Sequence, residues 1–66
     1  MGGIGLPTKI KIKRIERGIT QWELAKMIGV HPTTMSMFET GKVKPSKETL
    51  EKIAKILGCS PEELQD

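Results

Sequence analysis

Residues 18–41 read GITQWELAKMIGVHPTTMSMFETG, a stretch that parses as two short capped helices on either side of a three-residue turn. Thr20 stands as an N-cap with Glu23 three residues on, the spacing at which each side chain reaches a backbone N–H of the first turn. Ile19 and Leu24 bracket that cap as a hydrophobic staple. Leu24, Ala25 and Ile28 then recur along one helical face. Gly29 follows where a helix can end in the left-handed conformation that glycine adopts cheaply, so the first helix is expected to stop near Ile28. After Val30, the pair His31-Pro32 offers a cap and a proline at the first helical position, where its missing N–H costs nothing. The second helix places Met35 and Phe38 inward, with Val30 stapled to Met35, and turns Thr33, Thr34, Ser36 and Met37 to other faces. Gly41 closes it. A short helix with a small, polar outer face suits insertion into a groove.

The flanking sequence extends the same logic. A helix from a Thr8 cap to Arg17 is expected to face Leu6, Ile10 and Ile15 inward and to end at Gly18, with Ile12 off that face. Ser46 caps a further helix in which Leu50, Ile53, Ala54 and Leu57 follow at i, i+3, i+4 and i+7, a continuous apolar stripe ending at Gly58. Ser60-Pro61-Glu62-Glu63 repeats the capping box with proline at the first position, and Cys59 with Leu64 forms its staple. Met1 to Gly5 is glycine-rich and is expected to be a flexible tail. Residues 6–66 then form a single all-α domain of five helices, with the paired helices at about 20–39.

Composition excludes several classes. The chain has 66 residues and an apolar fraction of 36%, so its core must be small and helix packing must hold it together. One cysteine rules out an internal disulfide framework, and Cys59 with His31 alone cannot build a zinc site. No apolar run approaches the roughly 20 residues of a membrane span, and MGGIGLPT lacks a signal-peptide hydrophobic region. A reducing, cytoplasmic setting is expected. Catalysis would need a nucleophile with its base, a carboxylate pair, a metal cluster or a phosphate-cradling glycine loop. One histidine, one cysteine and glycines mainly at helix ends supply none of these, so the chain reads as a non-enzyme without a cofactor.

Charge is segregated more than it is large. The formal net charge is +3 and the isoelectric point near 9.3. Lys9, Lys11, Lys13, Arg14 and Arg17 crowd the first helix and Lys42, Lys44 and Lys47 the loop after Gly41, whereas Glu62, Glu63 and Asp66 gather at the end. Two solvated surfaces would suffice to explain this. Lysines on both sides of a groove-entering helix point instead to phosphate contact, because a polyanion releases counterions to them.

The pattern G-I-T-Q-x-E-L-A-x-x-I-G-V, followed by T-x-S-x-F-E-x-G-K-x-K-P-S-x-E-T-L-x-K-I-A, resembles the Cro/repressor-type, lambda-repressor-like helix-turn-helix family from about Leu6 to Leu64. The resemblance implies a compact five-helix DNA-binding domain, usually a dimer on a two-fold symmetric operator, acting as a transcriptional regulator and most often a repressor. Gln21 matches a glutamine that anchors to a phosphate and braces the recognition helix. His31, Pro32, Thr33 and Met37 match base-facing positions, and Thr34 one that meets backbone or base. Arg14 and Glu39 match a salt bridge between the first and third helices that also holds Arg14 near phosphate. Thr40, the amides near Gly41, Lys42 and Lys44 match the loop that grips the backbone, and Lys47 adds to it. Dimer contacts are implied at Val43, Pro45, Cys59 and Leu64. Double-stranded DNA, a second copy of the chain and a nucleoid location are thus the implied partners and place.

The chain departs from this family where specificity is set. Relatives usually carry Arg, Lys, Gln or Asn for bidentate contacts to base edges, and this helix offers Pro32, Thr33 and Met37. Direct readout is therefore expected to be weak or A·T-leaning, with His31 serving either as a base contact or only as a helix cap. Either DNA shape carries part of the specificity, or the domain is an antitoxin-like or adaptor module that binds a protein partner. Trp22 stands at a usually polar position and is expected to cover Ile12 or Ile15, with a protein contact as the alternative. Larger relatives carry a partner-sensing domain after the fifth helix, so no ligand pocket is expected within this chain.

Overall fold

Thr8 begins the first element in the computed structural model, which describes residues 8–65; the expected tail, Leu6 and Asp66 lie outside those residues. The Thr8 hydroxyl accepts the Lys11 N–H at 3.3 Å and starts α1, Lys9–Glu16. Helix α2, Gln21–Ile28, opens with both halves of the Thr20–Glu23 capping box and closes on Gly29 at φ 77°. A Cβ at Gly29 would meet no atom within 4 Å, so the turn demands glycine for its backbone angle alone. Helix α3, Pro32–Thr40, follows His31 as cap. Helix α4, Lys47–Leu57, is capped by the Ser46 hydroxyl. Among the described residues there is no strand, and the chain folds as an all-helical unit.

Two expectations are corrected. The fifth helix is a 3₁₀ turn, Pro61–Leu64, because its bonds run i to i+3: the Glu63 N–H reaches the Ser60 carbonyl at 3.0 Å and the Gln65 N–H the Glu62 carbonyl at 3.2 Å. The described residues thus form four α-helices and a tight final turn that drops Leu64 into the core. Ile15, expected inward, is 58% exposed. The inward face of α1 is held by Ile10 and, four residues on, by Arg14, so Ile15 is rotated about 100° away from it.

The core gathers Ile10, Leu24, Ala25, Ile28, Met35, Phe38, Ile53, Ala54, Leu57 and Leu64, with Ile19, Val30, Leu50, Ile56 and Cys59 at its margin. Every helix contributes, and α4 packs against α1, α2 and the final turn. The exposed Arg17 lies beside Gly58, where an added Cβ would come within 3.1 Å of Nη1, near the C-terminus of α4, the end of a helix that favours a cation.

Candidate nucleic-acid interface

Helix α3 turns one side to solvent, and its other side explains why it is held still. Met35, Phe38 and Glu39 are buried at 0%, 8% and 2% exposure. A buried carboxylate is costly unless it is paired and hydrogen-bonded, and Glu39 is bonded from two neighbouring helices. Arg14 donates from Nε to Oε2 at 2.6 Å and from Nη2 to Oε1 at 3.2 Å. Gln21 Nε2 donates to Oε1 at 3.1 Å. Arg14 also donates from Nη1 to the Ile19 carbonyl at 2.7 Å, and the Thr8 hydroxyl donates to the Glu39 backbone carbonyl at 3.0 Å. One carboxylate therefore fixes the rotation of α3 against both α1 and α2.

On the open side, His31 and Thr33 are exposed, while Pro32, Thr34, Ser36 and Met37 are half-buried. His31 Nδ1 accepts the Thr33 N–H at 3.1 Å, so in the neutral ring Nε2 carries the hydrogen and can donate outward. The cap and a contact through Nε2 are compatible in one side chain. A nine-residue helix with small outer side chains, about 10–12 Å across, fits a major groove about 12 Å wide.

The lysines Lys42, Lys44 and Lys47 are all exposed around the loop from α3 to α4. Other residues expected to contact the DNA backbone are partly committed within the fold. The Thr40 hydroxyl donates to the Met37 carbonyl at 3.3 Å. The N–H groups of Gly41 and Val43 donate to the Phe38 and Met37 carbonyls, each at 3.3 Å, so these amides close α3. The Gln21 amide serves Glu39. Arg14, whose side chain is 11% exposed, is spent on the frame, and of its two implied roles the brace is the one its geometry serves.

Val43, Pro45 and Leu64 share one open groove of about 790 Å³, bounded also by Lys44, Leu50 and Gln65. Leu64 forms its floor at 2% exposure and belongs to the hydrophobic core. Cys59 lies outside this groove, half-buried at the core margin. Burial pushes its thiol above the ordinary value, with the Glu63 charge adding to the effect. Among the described residues no cluster of three or more His, Cys, Asp or Glu side chains is placed to hold a metal ion, and no helix is long and apolar enough to cross a membrane.

Trp22 is also corrected. It is 72% exposed and leaves Ile12 and Ile15 at 42% and 58% exposure, so it covers neither. It borders a shallow notch with Lys26, Val30, His31 and Pro32. Sequence reasoning missed the Thr8 bond to Glu39, made across 31 residues, and the Lys13–Glu63 approach at 3.9 Å, neither of which leaves a local signal.

The model of the helix-turn-helix family matches residues 10–64. The chain belongs to the helix-turn-helix family. This helix-turn-helix chain is 42% identical over 57 residues to the cryptic phage CTXphi transcriptional repressor RstR of Vibrio cholerae, covering 86% of the chain and 51% of the relative. It is 40% identical over 57 residues to an HTH-type transcriptional regulator of Archaeoglobus fulgidus, covering 86% and 81%. Among solved structures, that of the biofilm regulator SinR in complex with DNA superposes with a TM-score of 0.78 at 36% identity, covering 88% of this chain and 94% of that one. The helix-turn-helix chain thus spans about half the length of the Vibrio cholerae repressor.

Proposed function

We propose that this chain is a sequence-specific duplex DNA-binding transcriptional regulator, a repressor, working in the cytoplasm at the nucleoid. One observation carries the reading. The inner side of α3 is pinned through Glu39 to α1 and α2, while its open edge is flanked by the exposed Lys42, Lys44 and Lys47. A reading helix must be held rigidly and bordered by phosphate ligands, since backbone contacts set register and base contacts set sequence. Repressor names among the relatives and a DNA complex among similar folds support it.

In this reading His31, Pro32, Thr33 and Met37 face base edges, Thr34 meets the groove wall, and Gln21, Thr40, Lys42, Lys44 and Lys47 take phosphates. With no bidentate reader on α3, sequence-dependent DNA shape supplies part of the specificity. A homodimer adds the contacts of two half-sites, and the groove beside Val43 and Pro45 is the surface proposed for it. Val43→Glu should then return a sedimentation coefficient for a single copy.

Selection from a random duplex library at two salt concentrations tests the function. A palindromic motif lost with Thr33→Ala, together with uniform weakening by Lys44→Ala, is expected. Salt-sensitive binding with no enriched motif would favour the protein-interaction module instead. His31→Asn separates the two roles of that residue: it keeps a capping oxygen while losing the Nε2 donor, whereas His31→Ala loses both and should cost about 1 kcal/mol of stability. Full operator affinity in His31→Asn would leave His31 a cap alone.

A further inference from the structure

Trp22 occupies the first turn of α2 beside Gln21, 72% exposed, and the fold has not used it. The notch that it borders is walled on its far side by His31 and Pro32, which also form the N-terminal edge of the reading helix. Lys26, one turn along from Trp22, is exposed on the same helix face. An exposed apolar ring, a cation one turn away and direct continuity with the α3 edge make one surface.

We infer that Trp22 and Lys26 extend the DNA-facing surface beyond α3 onto the sugar-phosphate backbone that borders the major groove. The inference rests on the DNA-binding reading above. The indole lies against deoxyribose, its N–H available to a phosphate oxygen, and the Lys26 ammonium pairs with a neighbouring phosphate. A protein partner suits the patch less well. Its apolar part is one indole with the rims of Val30 and Pro32, far below the roughly 800 Å² per partner of a standard protein interface, and Lys26 gives it the sign that a polyanion selects.

Trp22 is the single tryptophan of a chain with no tyrosine, so intrinsic emission excited at the indole edge reports this residue alone. The wild-type chain is titrated with a mixed-sequence duplex pool at low salt, following gel mobility and acrylamide quenching of Trp22 in parallel. Protection of Trp22 should saturate together with the mobility shift. Trp22→Ala should weaken binding about tenfold with an unchanged urea midpoint, and Lys26→Gln should lower the slope of log K against log salt by about 0.9. A mobility shift with quenching unchanged would overturn the inference and leave the DNA-binding reading standing. No shift at any salt would bring down that reading and the inference with it. Protection that grows with protein concentration in the absence of DNA would overturn the inference in favour of a contact between copies.

Discussion

Glu39 is the residue on which the interface turns, and its environment makes a quantitative expectation possible. Its side chain is 1% exposed and that of Arg14 11%, so water screens the pair poorly. Removing one member of a buried pair leaves an uncompensated charge, at a cost of roughly 3–5 kcal/mol. Arg14→Met should therefore lower stability by about 3 kcal/mol in urea unfolding. The double variant Arg14→Met/Glu39→Leu should recover part of that loss, because no charge is then stranded. A double variant no more stable than Arg14→Met would show that the pair is not what destabilises the single one. Arg14→Met should also weaken DNA binding more than its small exposure suggests, since α3 loses the anchor that sets its rotation.

At the scale of the elements, the capping boxes predict a pH response. The Thr20 backbone N–H donates to Glu23 at 2.8 Å, and this bond, followed by the one to the Thr20 side chain, holds the Glu23 carboxyl below its ordinary value of 4.5. Glu63 is lowered in the same way, first by the Ser60 backbone N–H at 3.0 Å and then by the Ser60 hydroxyl. A carboxyl with a depressed folded-state pKa binds its proton less tightly when folded than when unfolded. The stabilisation is thus complete above about pH 4.5 and is lost as pH falls through the lower, folded-state values. The urea midpoint of wild type should exceed that of Glu23→Gln/Glu63→Gln at neutral pH, and the gap should narrow as pH drops below 4.5. A gap constant with pH would mean that the boxes act through shape and not through charge. These boxes were legible in the sequence because each is a contact between residues three apart, as was the α4 stripe, which repeats along one helix. The inward face of α1 was legible only through the family resemblance, which paired Arg14 with Glu39; no local spacing gives Arg14 a core position, because its partner lies 25 residues away. The loop lysines of the site could be read from position alone. Trp22 could not, since the spacing along α2 does not say whether α1 or the start of α3 lies beside it.

Across the whole molecule, sign is sorted by place: exposed Lys42, Lys44 and Lys47 adjoin the α3 edge, while Glu62 and Glu63 sit on the final turn. That arrangement orients the chain on a polyanion before any base is read, and it also counts how many copies bind. Each lysine that neutralises a phosphate contributes about 0.9 to the slope of log K against log salt. Replacing all three by glutamine should then reduce the slope by about 2.7 if one copy engages the duplex, and by about 5.4 if two copies engage it together. Measured on the selected operator, a loss near the larger value would support two copies on one duplex, as the proposed homodimer requires, independently of sedimentation, because it counts charges at the DNA and not mass in solution. A loss near the smaller value would place a single copy on each site and count against the homodimer on DNA. An unchanged slope would remove the lysine loop from the interface altogether, and α3 would then lack the flanking phosphate ligands on which its role as a reading helix is argued.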